Sequence, residues 1–276
     1  MKFGVATFVT DEGIRPDLLG KALEERGFES LFVAEHSHIP LSRETPYPGG
    51  GELPRVYYRT LDPFVTLTAA AVATENLLLG TGIALVMQRD TIHTAKEVAS
   101  LDLVSGGRFL FGVGAGWNRE EMADHGTDPR TRGAKLDEQL AALKEIWTKD
   151  APEFHGKHVE FGPMGSWPKP VQKPHPPIYV GGNTPAALNR LKQYGDVWTP
   201  NGVGERAHIQ PQLDLMHEHA GDFPVSVFGV GTKNLDVLEG YVEAGVERIT
   251  LLLGTKPEAE TLTRLDELAK LVERYR

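Results

Sequence analysis

Two histidines and a glutamate follow a short apolar run, in the order Glu35, His36, Ser37 and His38. Histidine donates or accepts a proton near neutral pH, so it is a candidate general acid or base. The apolar residues of the preceding run, Ser30–Ala34, are continuous, which predicts a strand buried on both faces. A histidine satisfied by local hydrogen bonds is the alternative, and for His38 we prefer that interpretation.

A second candidate site begins where Gly181 and Gly182 end an apolar run and lead into Asn183, Thr184 and Pro185. Threonine is a favourable helix N-cap and proline a favourable first helical residue, so a helix is predicted to begin here. Its free backbone N–H groups and positive dipole end would point outwards, as in an anion site. An ordinary tight turn into a capped helix explains the pattern about as well.

A glycine-rich loop follows the predicted strand Arg108–Val113, with Gly112, Gly114 and Gly116. These glycines do not form the dinucleotide-binding fingerprint, because Trp117 stands where the third glycine should be. The loop still allows its backbone, including Ala115, to approach a planar ligand closely. A mobile turn without a ligand is the alternative.

Glycine also interrupts the predicted strand Leu77–Val86, at Gly80 and Gly82. Glycine weakens a strand and usually marks a bulge or the close approach of a ligand.

The first predicted strand, Lys2–Phe8, ends in a polar segment that begins with Thr7.

Composition limits the classes of function. The net charge of −9 argues against a nucleic-acid partner or an anionic membrane surface. The chain has no cysteine, which excludes disulfides, thiolate catalysis and cysteine-bound metals. The amino terminus lacks the apolar segment of a signal peptide, and no apolar run is long enough to span a membrane. We therefore expect a soluble, cytoplasmic protein.

Strand and helix signals alternate along the whole chain, which predicts an α/β fold. About eight strands, each followed by a helix, favour a closed (β/α)8 TIM barrel forming one domain over residues 1–276. Two insertions are expected, Ile39–Leu61 after strand 2 as a lid or binding loop, and a hairpin with the proline-rich connector Pro163–Pro177 before strand 5. The predicted strands are Lys2–Phe8, Ser30–Ala34, Leu77–Val86, Arg108–Val113, Pro177–Val180, Asp196–Thr199, Val225–Val230 and Arg248–Leu253. The predicted helices include Pro63–Thr74, Thr91–Ser105, Lys135–Trp147, Ala186–Tyr194, Pro211–His219, Leu235–Glu243 and Glu258–Tyr275.

Two long motifs resemble those of the luciferase-like flavin and deazaflavin oxidoreductases. LDLVSGGRFLFGVGAGW, residues 101–117, is similar to the helix–turn–strand signature of that family, and PKPVQKPHPPIYVGGNTPAAL, residues 168–188, to its phosphate-site signature. The resemblance runs from Lys2 to about Val203. It implies a TIM-barrel enzyme that moves a hydride between a flavin-type cofactor and an organic substrate.

The resemblance also assigns roles to particular residues. It implies cofactor contacts along the strand exits and a non-prolyl cis peptide at Gly82-Ile83, and it matches Glu35 and His36 to an acidic residue and histidine near the reactive ring of the deazaflavin-dependent members. The sugar-phosphate dehydrogenases of the family often carry a glutamate where this chain has Trp117, which argues against that substrate class. The predicted catalytic residues are His36, as proton donor or base, and Glu35. The predicted cofactor-binding residues are Thr7, Gly82, Ile83, Gly114, Ala115, Gly116, Gly181, Gly182, Asn183, Thr184 and Trp198.

The predicted function is hydride transfer with the deazaflavin F420 and an unidentified small organic substrate. An FMN-dependent monooxygenase is the second possibility. A metal-dependent hydrolase is the third, because His36 and His38 match half of an amidohydrolase ligand set, but the later strand exits lack the other ligands. No metal site is predicted. By the same resemblance we expect a homodimer, with the small-residue helix Thr66–Thr74 as a candidate contact.

Overall fold

The computed structural model describes residues 1–275, and its centre is a nearly closed barrel of eight parallel strands. Neighbouring strands of the sheet are joined by parallel ladders, and the ladder that contains Ile249 and Leu251 has a register shift between those two residues. The two outermost strands of this sheet approach each other through isolated bridges at Trp198–Val225 and Asn201–Phe228. The predicted TIM barrel is confirmed. We number the barrel strands β1 (Lys2–Thr7), β2 (Ser30–Val33), β3 (Leu78–Thr81), β4 (Phe109–Val113), β5 (Ile178–Gly181), β6 (Val197–Thr199), β7 (Ser226–Val230) and β8 (Arg248–Leu253).

Helices surround the barrel, and several begin at the signals expected from the sequence. Pro16, Pro63 and Pro185 occupy first helical positions, and the Asp62 side chain accepts hydrogen bonds from the amides of the helix it caps. Within residues 1–275 none of the helices combines the length and apolarity needed to cross a bilayer. The helices are α1 (Pro16–Glu25), α2 (Pro63–Val72), α3 (Thr91–Val104), α4 (Arg119–Asp124), α5 (Arg132–Thr148), α6 (Pro185–Tyr194), α7 (Ile209–His219), α8 (Leu235–Glu243) and α9 (Glu258–Val272).

The third strand differs most from its predicted bounds, because Leu77–Val86 was expected and β3 ends at Thr81. The backbone leaves the β2 ladder at Gly82, whose amide makes a last bond to Val33 O. The chain then passes through the Gly82–Ile83 cis peptide and a 3-10 turn at Val86–Gln88. Hydrophobicity alone cannot distinguish this buried irregular segment from a strand, since both bury apolar side chains.

Both expected insertions are present. The first insertion, residues 34–62, is attached to the barrel by a bridge between Thr10 and Thr60 and by ion pairs from Arg55 and Arg59 to acidic residues of the β1–α1 loop. The second insertion, residues 149–177, contains a short antiparallel hairpin followed by the proline-rich connector. The hairpin and the connector extend along the outside of the barrel.

A buried ion pair closes the amino-terminal end of the barrel. Arg248, at the start of β8, donates two hydrogen bonds of 2.7 Å to the Glu29 carboxylate and a third to Tyr179 Oη. Burial opposes the charge of Arg248, but Glu29 holds the pKa of the guanidinium above its ordinary value. Arg248, Glu29 and Tyr179 fill the amino-terminal end of the barrel, so a ligand is expected at the carboxyl end.

Candidate active site

A cleft of about 870 Å³ opens at the carboxyl ends of the strands. Its walls come from the exits of β2 to β7 and from the first insertion, so residues far apart in sequence meet around one volume. Ten of the predicted site residues line it: Glu35, His36, Gly82, Ile83, Gly114, Ala115, Gly116, Gly181, Gly182 and Thr184.

Ile83 forms the floor of the cleft. The peptide bond between Gly82 and Ile83 is cis, as the resemblance implies. The Ile83 side chain occupies space that other residues must leave open, because a Cβ on Gly114 would lie 2.1 Å from Ile83 Cδ1 and one on Gly181 3.2 Å from Ile83 Cγ2. The glycines after β4 and β5 are therefore needed so that this isoleucine can lie between them.

One end of the cleft is suited to an anion. Thr184 caps α6 by accepting a hydrogen bond from the Ala187 amide at 3.3 Å, and Gly182 has a positive φ of 108°. The amino terminus of α5 lines the same end with Arg132 and Gly133. Two helix N-termini and an arginine therefore surround this end, and each favours negative charge.

Arg190 joins the two helix ends to each other. Its Nε donates to Asp137 Oδ1 at 2.5 Å, and its Nη2 donates to Gly133 O at 3.2 Å. The Arg190 side chain is almost fully buried. Because α6 carries Arg190 and α5 carries both acceptors, these bonds fix the spacing of the anion end.

Three predicted cofactor contacts lie outside the cleft lining. The Thr7 side chain is buried and donates to Leu253 O at 2.8 Å, and Asn183 is exposed beyond the loop. Trp198 is fully buried beneath the glycine loop, where its Nε1 donates to Gly182 O at 2.9 Å. Alternation along β6 directs Trp198 away from the cleft, and its neighbour Thr199 lines the cleft instead. That these three residues contact the cofactor stays a prediction.

His36 lies in the cleft wall against a carboxylate that the sequence analysis missed. Its Nδ1 is 2.8 Å from Glu121 Oε2, and the Glu121 side chain is fully buried. Glu121 Oε1 also accepts a hydrogen bond from the Ser37 amide at 3.1 Å. Among the residues described, the other ring nitrogen of His36, Nε2, has no hydrogen-bond partner. His36 is therefore oriented through one nitrogen and free to exchange a proton through the other.

One sequence signal could have identified Glu121. Asn118 caps α4 and Glu121 follows three residues later, a spacing typical of a helix start with a capping carboxylate. The Glu121 carboxylate instead points back to β2 and contacts His36, which only the tertiary structure shows.

Aromatic side chains form the wall beside His36. Tyr57 lies with its ring centroid 5.1 Å from that of His36 and 4.5 Å from that of Phe8, and Tyr47 and Trp117 complete the wall. The Tyr57 hydroxyl donates to Tyr47 Oη at 3.3 Å, and burial raises the pKa of Tyr57. Trp198 is the aromatic residue that the sequence predicts for the site, whereas Tyr47, Tyr57 and Trp117 are the ones that line the cleft.

Glu35 is held by partners from the segment after β3. Its Oε2 accepts from the Leu85 amide at 2.6 Å and its Oε1 from Arg89 Nε at 2.7 Å. Burial raises the pKa of Glu35, whereas Arg89 opposes that rise. Glu35 thereby links the exit of β2, which carries His36, to the segment that carries Ile83.

The two histidines of the His-x-His motif face different partners. His36 contacts Glu121, whereas His38 Nε2 is 3.0 Å from Asp124 Oδ2 and its Nδ1 is 2.9 Å from Ser37 Oγ. Within residues 1–275, no group of three potential His, Asp or Glu ligands is arranged to hold a metal ion. The geometry therefore gives the metal-hydrolase alternative no support.

Removing Arg89 should destabilise the protein strongly. Arg89 is the partner of three carboxylates, Glu35, Asp62 and Glu97, so Arg89→Leu leaves a buried carboxylate uncompensated. We expect the free energy of unfolding to fall by about 3–5 kcal/mol in urea titrations at pH 7. The exposed arginine variant Arg130→Leu is the control and should change little. Equal losses in the two variants would contradict this role of Arg89.

Comparisons with known proteins agree with the geometry. A family model described as luciferase-like monooxygenase matches residues 18–227. An uncharacterised protein of Mycobacterium tuberculosis is 35% identical over 276 residues, covering 98% of this chain and 98% of that protein. The FMNH2-dependent dimethylsulfone monooxygenase of Pseudomonas putida is 36% identical over 125 residues, which are 44% of this chain and 34% of that protein.

A solved structure shows the same fold. The coenzyme F420-dependent tetrahydromethanopterin reductase of Methanopyrus kandleri superposes with a TM-score of 0.75 at 16% identity, covering 100% of this chain and 99% of that chain. The named relatives of known activity are oxidoreductases that use either F420 or FMN. The chain belongs to the luciferase-like monooxygenase family.

Proposed function

We propose that this protein is an F420-dependent oxidoreductase that transfers a hydride between the deazaflavin and a small organic substrate. The observation that carries the proposal is His36, which is oriented by buried Glu121 and presents a free ring nitrogen to the cleft. Carbon 5 of F420 carries a hydride only. A substrate reduced in this way needs a proton from the protein, and His36 can supply it.

The cleft fits a cofactor of this type. Its volume of about 870 Å³ is within the usual range of cofactor and ligand sites. Ile83 and the glycines around it line the part of the cleft where a ring system could lie, and the helix N-termini at the other end would hold the phosphate. Arg130 lines the cleft close in sequence to Arg132 of the anion end, and it could contact the acidic tail of F420, a group that FMN lacks.

His36, Glu121 and Glu35 have different roles in the proposed reaction. His36 would give a proton to the substrate during reduction and take one during oxidation, and Glu121 would keep its ring in position. Both oxygens of Glu35 are occupied by Arg89 and Leu85, so we assign Glu35 the positioning of the strand exits rather than proton transfer. When bound, F420 would supply or accept the hydride.

An FMN-dependent monooxygenase is the second candidate. The identity of 36% to the FMNH2-dependent enzyme of Pseudomonas putida favours it. The same floor and anion end could hold FMN. Such an enzyme would need reduced flavin from a separate reductase.

The choice of cofactor is tested by titrating the purified protein with F420 and FMN in parallel and following fluorescence. We expect F420 to bind with a micromolar or lower Kd and FMN at least about ten-fold more weakly, because only F420 carries an acidic tail that could also contact Arg130. A preference for FMN would overturn the F420 proposal in favour of the monooxygenase.

The role of His36 is tested by His36→Ala. We expect turnover with F420 to fall by about 100-fold or more, because a positioned acid or base contributes about that much, while the Kd of F420 changes little. His38→Ala is the matched control and should retain most of the activity, since His38 lies outside the cleft lining. Weak F420 binding with normal turnover in His36→Ala would be inconsistent with this assignment.

We also propose that the protein forms a homodimer through the outer face of α2. Val65 and Val72 on this helix are 71% and 72% exposed, an unusual exposure for large apolar side chains on one helix face. We expect light scattering to give twice the mass of one chain for the wild type, and the mass of one chain for the double variant Val65→Glu and Val72→Glu. Leu41→Glu, at an exposed leucine of the first insertion, is the control. A monomeric wild type would refute the proposal.

A further inference from the structure

A second cavity, of about 1080 Å³, lies within the first insertion and shares Tyr47 with the cleft. We call it the loop cavity. Three arginines line it: Arg43, Arg55 and Arg59. Because Tyr47 borders both volumes, a ligand beside His36 can extend past this ring towards the loop cavity.

The three arginines differ in their partners. Arg55 and Arg59 form ion pairs with Glu12 and Asp11, so their charges are compensated. Within residues 1–275, Arg43 has neither an ion pair nor a hydrogen bond. Its guanidinium carbon lies 5.8 Å from the centroid of the Trp117 ring. An arginine near an aromatic ring keeps the N–H groups at its edge available to an acceptor.

The backbone holds Arg43 in this place. Its φ of 50° is positive, and it is the only non-glycine residue with such an angle among the residues described. Two residues later, the Thr45 amide donates to Glu120 Oε1 at 2.6 Å, and the Thr45 hydroxyl donates to the other oxygen of the same carboxylate. Glu120 lies three residues after Trp117. Residues 117–120 therefore carry both the Trp117 ring and the Glu120 carboxylate, and this carboxylate anchors the loop that contains Arg43.

We propose that Arg43 binds the carboxylate of a planar, conjugated or aromatic substrate, and this inference rests on the proposed function because it names the substrate class of the same site. The Trp117 ring lies near both Arg43 and His36, with its centroid 5.8 Å from the Arg43 guanidinium carbon and 5.7 Å from the centroid of the His36 ring. The flat body of the substrate would contact Trp117 and Tyr57, and its reactive carbon would face His36. An uncompensated arginine is needed for an anionic ligand because the net charge of −9 otherwise repels it.

The test uses cinnamate and its neutral isostere cinnamamide as probes, with Kd measured by isothermal titration calorimetry. We expect wild-type protein to bind cinnamate at least about ten-fold more tightly than cinnamamide, because a charge-assisted pair with arginine contributes that much. Arg43→Asn should bring the two Kd values within about two-fold. Asparagine tolerates a positive φ, so this variant is expected to fold, which circular dichroism checks. Arg43→Lys keeps the positive charge but lacks the planar guanidinium group, so it should retain part of the preference for cinnamate over cinnamamide.

Arg119→Gln is the matched control, because Arg119 is exposed, lies two residues from Trp117 and lines neither cavity. It should retain the full preference for cinnamate. Equal binding of the two probes to wild type, binding of neither, or an equal loss in Arg43→Asn and Arg119→Gln would overturn the proposal. The titrations are made with and without F420. Failure of F420 to bind would count against the proposed function alone, since the carboxylate preference is measured on the cofactor-free protein as well.

Discussion

The candidate active site depends on one buried carboxylate. Glu35 ends the β2 segment, and its oxygens are bonded to the Leu85 amide and to Arg89, which belong to the segment after β3. This contact joins the exit that carries His36 to the exit that carries Ile83. A buried charge is tolerated only when it is paired and hydrogen-bonded, so the two exits are held in one arrangement.

A second buried carboxylate orients His36, the proposed acid or base. Glu121 comes from α4, a helix of six residues after the glycine loop of β4, and it contacts His36 from the side opposite the cleft. The two glutamates have different roles. Glu35 positions backbone segments, whereas Glu121 positions an imidazole ring. The exit of β2 carries Glu35 and His36, the segment after β3 carries Ile83 and Arg89, and the segment after β4 carries Glu121. The site therefore exists only when the barrel brings β2, β3 and β4 side by side.

Glycine is needed at several positions because neighbouring elements approach each other closely there, and not because the backbone has to be flexible. A Cβ at Gly112 would lie 1.8 Å from Thr81 O, and one at Gly82 would lie 2.1 Å from Phe228 Cε2. These glycines let the barrel strands and the segment around Ile83 approach one another. The first insertion then adds Arg43 and the tyrosines of the aromatic wall, Tyr47 and Tyr57, beside Trp117 of the loop after β4. The barrel thus supplies the proposed cofactor surface, and the insertion supplies most of the proposed substrate surface.

The sequence by itself determined the alternation of strands and helices, the positions of both insertions, and most of the glycine loops that line the cleft, because these features depend on local patterns of apolar residues, glycine and helix caps. It also singled out His36. It did not determine where β3 ends, that Glu121 contacts His36, or that the Trp198 side chain points away from the cleft. Those depend on which strand exits lie next to each other and on which side of a strand faces the barrel interior. Only tertiary structure decides these, since the residues concerned are separated by tens of positions in the chain.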